Sequence, residues 1–162
     1  MHQCVEWERP LFGWWKLNVD GAMVLSSAKA GCGGLLRDGY GKWFAGFSKV
    51  IGDCQSHVVE EWAIWEGLRL AYDFGLKHVL VESDAEGVLN MITDPNCQLV
   101  SLTVMRIREL ISSDWHVKWR FVPHDANKVA DALAKMGISR TSVLIKCPTY
   151  LRSWVDQECL RL

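Results

Sequence analysis

The sequence predicts an α/β fold: a mixed sheet with helices on its faces. Two observations lead there. Three short alternating segments near the start, two of them joined by a glycine-bearing turn, read as antiparallel strands. From Ser56 the period changes and helical segments alternate with strands, as in parallel sheets with crossover helices. A length of 162 residues suits one domain.

The first strand runs from Trp14 to Asp20, with Trp15, Leu17 and Val19 on one face and Lys16, Asn18 and Asp20 on the other. Gly31 to Arg37 and Trp43 to Val50 follow, linked by Asp38-Gly39-Tyr40-Gly41 as a hairpin turn. Ser56 is positioned to cap a first helix, whose early Glu60 and Glu61 suit its positive end. Glu60, Ala63, Gly67 and Ala71 share one face, small enough for the helix to lie close to a sheet, and Gly75 ends it. His78 to Glu82 is an apolar fourth strand. Ser83 or Asp84 is then positioned to cap a second helix reaching Ile92, before a break at Asp94-Pro95-Asn96. A helix over Ser101–Ser112, a strand over His116–Val122 and a helix from Asp125 or Ala126 to Met136 complete the order.

Composition narrows the function. With 23% charged and 49% hydrophobic residues the chain is not disordered. No apolar run approaches the roughly 20 residues of a membrane span, so no membrane partner is expected. The start carries Glu6 and Glu8 and lacks an apolar signal core, so an intracellular location, nuclear or cytoplasmic, is expected. Six scattered cysteines without C-x-x-C spacing read as reduced thiols. A net charge of −1 argues against a strongly basic nucleic-acid coat protein, yet a local basic stripe can still hold phosphates.

Four acids stand where this fold would gather them. Asp20 ends the first strand, Glu60 faces the sheet from the first long helix, Asp84 follows the fourth strand, and Asp131 lies in the last helix. Sites in α/β sheets form at the carboxyl ends of strands. Taken singly, Asp20 is a turn residue, Glu60 complements a helix end and Asp84 is a cap. Taken together, clustered carboxylates need cations, and oxygen-only ligands favour Mg²⁺ or Mn²⁺. Two such ions about 4 Å apart support phosphodiester hydrolysis.

The wording around each acid sharpens this. Lys16-Leu17-Asn18-Val19-Asp20-Gly21-Ala22, Gly33-Gly34-Leu35-Leu36-Arg37-Asp38, Glu60-Glu61-Trp62-Ala63, Val81-Glu82-Ser83-Asp84 and Asn127-Lys128-Val129-Ala130-Asp131-Ala132-Leu133-Ala134 resemble, in order, the ribonuclease H family. The likeness is strongest to plant reverse-transcriptase-like domains derived from non-LTR retrotransposons. It divides the chain into an extension over 1–13, the domain over 14–137, and a tail over 138–162 that docks on it.

The resemblance implies a five-stranded mixed sheet, three antiparallel strands plus two parallel, flanked by helices. It implies metal-dependent cleavage of the RNA strand in RNA–DNA hybrids, leaving a 5′-phosphate and a 3′-hydroxyl. Asp20, Glu60, Asp84 and Asp131 take the family's metal-binding positions for two Mg²⁺ ions, with Mn²⁺ as a substitute. Glu60 rather than its neighbour Glu61 matches the motif. Gly21, Ala22, Ser56, His57, Ser83, Asn127 and Lys128 fall where relatives touch the hybrid. His124-Asp125 replaces a common Arg-Glu pair, and His124 is placed to help product leave, imidazole being suited to proton exchange near neutrality. A monomer is expected, with a reverse transcriptase as neighbour if the chain belongs to a longer element. The alternative is a catalytically silent fold kept for binding nucleic acid or a partner. Trp7, Trp14 and Trp154, near the ends, are the tryptophans placed for partner contacts unless they dock on the domain.

Overall fold

The computed structural model describes residues 6–111 and 114–160. Cys4, the expected helix end at Ser112 and the last residues of the tail lie outside the described residues. The strands are β1 (Trp15–Val24), β2 (Lys29–Arg37), β3 (Trp43–Asp53), β4 (His78–Ser83), β5 (His116–Phe121) and β6 (Ser142–Leu144). The helices are α1 (Ser56–Asp73), α2 (Glu86–Thr93), α3 (Leu102–Ile111), α4 (Lys128–Gly137) and α5 (Thr149–Leu160). One sheet has the order β5-β4-β1-β2-β3-β6. β1, β2 and β3 pair antiparallel, while β1, β4 and β5 pair parallel.

This is the expected mixed sheet, with a sixth strand in place of a five-strand total. β6 pairs antiparallel with β3, from Gly46↔Leu144 to Ser48↔Ser142. Three residues are too few for alternation to reveal a strand. Beyond β6, α5 buries Leu151 and Val155 against Leu35, Val129 and Leu133.

Two glycines set the layer spacing. A Cβ at Gly67 of α1 would lie 2.7 Å from Val19 Cγ1, and one at Gly33 of β2 would lie 2.4 Å from the Ala134 amide nitrogen. Both helices therefore press against the central strands. α1 packs on the Leu17 and Val19 face of β1, whereas α4 packs on the face bearing Asn18.

Three local expectations are corrected. Gln55, not Ser56, precedes α1 and makes no side-chain cap, and Glu60 and Glu61 sit beyond its first turn. Packing rather than capping starts this helix. Neither Ser83 nor Asp84 caps α2; Ala85 precedes it, and Ser83 Oγ accepts the Ala85 N–H at 3.1 Å. The last helix begins at Lys128 because a 3-10 turn occupies His124–Ala126.

Candidate functional site

The four acids arrive from four elements. β1 and β4 are adjacent and parallel with Asn18 opposite Glu82, so Asp20 and Asp84, two residues further along each chain, emerge level with one another. α1 brings Glu60, and α4 brings Asp131 in its first turn. Carboxylate oxygens of Asp20, Glu60 and Asp84 all lie within 4.8 Å of one another. So do ligand atoms of Asp20, Asp131 and His124. Asp20 belongs to both groups. His124 Nδ1 also stands 3.8 Å from Asp84 Oδ2.

Burial makes this crowd of acids costly. Asp20 is 2% exposed. Desolvation first, then the charges of Glu60 and Asp84, push its carboxyl up to about 10. Desolvation, then Asp84, push Glu60 up to about 7. Glu60 Oε2 is buried and accepts no hydrogen bond. An orphaned buried oxygen among four carboxylates is the donor chemistry of a hard divalent ion, so these residues fit such a group. Protein groups supply part of the compensation: the Gly21 N–H donates to Asp20 Oδ1 at 2.9 Å, and Lys135 stands 2.8 Å from Asp131 Oδ2. Desolvation favours the protonated carboxyl, whereas a bound cation would favour the ionised one.

Glu61 faces elsewhere. It is buried and accepts the Ser101 hydroxyl at 2.9 Å, which separates it from the acid group that contains Glu60.

The expected nucleic-acid contacts divide. Ser56 and His57 are exposed and line a cavity of about 490 Å³ with Glu60, Asp84 and Met91. Gly21 and Ala22 are half-buried beside Asp20, and Lys128 is exposed. Ser83 and Asn127 are not available to a ligand. Ser83 is fully buried, and Asn127 is 2% exposed with its amide spent on Asn18 and on the Val19 carbonyl. In this structure both side chains close internal hydrogen bonds. Among the terminal tryptophans, Trp7 is buried at 3% exposure, while Trp154 is exposed.

Just behind the acids lie residues to which the sequence assigned no part in the site, joined by Trp7, which docks on the domain. Trp7, Asn18, Glu82 and Lys16 form a buried polar row. The available signal was the alternation of β1, which puts Lys16, Asn18 and Asp20 on one face of a central strand where polar side chains must find partners.

Comparison with known proteins agrees with this arrangement. Residues 18–137 match the model of a family described as reverse transcriptase-like. An Arabidopsis thaliana protein named as a ribonuclease H protein is 32% identical over 141 residues, 86% of this chain, and the chain spans 23% of that relative's length. Ribonuclease H1 of the archaeon Halobacterium salinarum superposes with a TM-score of 0.68 at 26% identity, covering 77% of this chain and 97% of that one. The compost-derived LC11 ribonuclease H1, solved with an RNA/DNA hybrid, superposes with a TM-score of 0.68 at 21% identity, covering 76% and 96%. Fold, motif order and matched span together make this chain a member of the reverse transcriptase-like family of ribonuclease H domains.

Proposed function

We propose that this chain is a metal-dependent endonuclease that hydrolyses the RNA strand of RNA–DNA hybrids. The observation that carries this reading is Asp20, shared between two groups of ligand atoms on the carboxyl side of β1 and β4. Asp20, Glu60 and Asp84 would hold one ion, and Asp20, Asp131 and His124 the other. Mg²⁺ suits the all-carboxylate group, and the imidazole of the second admits Mn²⁺. When bound, such ions lower the pKa of an attacking water and stabilise charge on the leaving oxygen.

The chain's own residues do the rest. Gly21 fixes one oxygen of Asp20 and aims the other at its neighbours. Lys135 tethers Asp131 from the solvent side. The exposed ring of His124 stands at the mouth, 3.8 Å from Asp84 Oδ2. Gly21 and Ala22 allow backbone to approach a minor groove, where 2′-hydroxyls distinguish RNA. Ser56 and His57 line the adjoining cavity.

The test is Mg²⁺- and Mn²⁺-dependent cleavage of a labelled hybrid, with duplex RNA, duplex DNA and Asp84→Asn as controls. Hybrid-only cleavage lost in Asp84→Asn supports the reading. Folded protein that cuts nothing at low salt refutes it, and the fold is then one kept for binding.

A further inference from the structure

We propose that Trp7, outside the span matched by the family model, is a positioning residue for the catalytic acids, acting through Asn18 and Asn127. The inference rests on the reading above that these acids hold metal.

The chain of contacts is continuous and buried. Trp7 Nε1–H donates to Asn18 Oδ1 at 2.9 Å. That bond commits the Asn18 oxygen to Trp7 and turns its Nδ2 the other way. Nδ2 then donates to Glu82 Oε1 and to Asn127 Oδ1, each at 3.0 Å. Asn127 Nδ2 in turn donates to the Val19 carbonyl at 2.9 Å, one residue before Asp20. The Asn127 carbonyl accepts the Asp131 N–H at 3.1 Å. Asn127 therefore joins the backbone carrying Asp20 to the backbone carrying Asp131, and both acids belong to one ligand group.

Each member is satisfied only if the amide of Asn18 has this orientation. Flipped, it would aim a donor at the Trp7 N–H and an acceptor at Glu82 and at Asn127 Oδ1. Trp7 forbids the flip because it has a donor and nothing else. Its ring is itself held: the Arg37 guanidinium lies 4.0 Å and Lys16 Nζ 4.8 Å from the ring centroid. Lys16 also pairs with Glu82 at 3.2 Å and donates to the Glu8 carbonyl, tying the N-terminal segment to the same row. Buried networks with every partner placed impose one arrangement on the groups they join.

Trp7→Phe tests this, because it keeps an aromatic ring for Arg37 and Lys16 and removes the N–H. The readouts are thermal unfolding, Mn²⁺ affinity by calorimetry without nucleic acid, and kcat and KM on a labelled hybrid. The expected result is a folded protein with Mn²⁺ affinity about 10-fold weaker, the scale of a disturbed outer-shell partner, and kcat lowered at unchanged KM. Asn18→Ala should cost less in the Trp7→Phe background than in wild type, since both changes break one chain. If Trp7→Phe does not fold, benzothienylalanine at position 7, which keeps the bicyclic shape without the N–H, takes the same measurements. A folded variant with unchanged Mn²⁺ affinity overturns the proposal and leaves Trp7 a packing residue. Wild-type protein that binds Mn²⁺ but cleaves nothing, with affinity still falling in Trp7→Phe, sinks the nuclease reading and keeps the positioning role. Wild-type protein that binds no Mn²⁺ overturns both.

Discussion

Neutralising Glu60 should stabilise the metal-free protein at alkaline pH and leave it nearly unchanged in acid. Burial and the neighbouring Asp84 hold this carboxyl at about 7, against an ordinary 4.5. A folded-state pKa above the unfolded one means the fold binds the proton more tightly. The associated stability is complete below the unfolded value and drains away as pH rises from there through about 7. At pH 9 the loss is about 3 kcal/mol, and at pH 5 about 1 kcal/mol or less. For a chain of this size 1 kcal/mol moves Tm by about 2–4 °C, so the alkaline effect is about 10 °C. Glu60→Gln keeps the shape and removes the charge. Melting curves in EDTA, followed by circular dichroism at pH 5, 7 and 9, should show the variant about 3 °C or less above wild type at pH 5 and about 10 °C above it at pH 9. Saturating Mg²⁺ should close that gap by stabilising wild type selectively. A gap that is the same at all three pH values, or that reverses sign, would refute the electrostatic account of the site.

Three further outcomes follow from the same geometry. Glu61→Gln should keep hybrid cleavage while costing about 1 kcal/mol in urea denaturation, since it weakens only the bond from Ser101; loss of cleavage would exchange the roles of Glu60 and Glu61. His124→Ala should weaken Mn²⁺ binding by about 10-fold and Mg²⁺ binding much less, because imidazole is a ligand for the softer ion; equal losses measured by calorimetry would remove His124 from the metal group. Leu151→Ala should cost about 2–5 kcal/mol, as expected for a buried leucine packed on all sides. A Tm within about 2 °C of wild type, equivalent to under 1 kcal/mol, would show that α5 contributes little to the fold.

The legible part of this protein lay in local patterns. Alternation along Trp14–Asp20 and helical spacing from Ser56 identified strand and helix because both reflect where side chains point, a local property. The ends were less legible. Ser56 and Asp84 are good capping residues by type, yet Gln55 and Ala85 hold those positions, because strand register and packing set where each helix starts. For Asp84 the result serves the site: a carboxylate not spent on a cap is free to face Asp20 and Glu60. Asn127 and Ser83, expected at the hybrid, are buried in the structure. A polar residue inside a motif has the same letter whether it reaches solvent or closes a buried bond.

The order of motifs along the chain pointed to the family and the mixed sheet and singled out four acids, since each depends on residue type at fixed spacing; the structure brings those acids together in two groups that share Asp20. Only the tertiary structure could place Trp7 behind Asn18, 11 residues away, or join Asn18 to Asn127 across 109. It also decided that His124 meets Asp131 and that Asp20 serves two ligand groups. Such contacts depend on which faces the packed layers turn toward one another, and long-range register is set by the whole core rather than by any segment of it.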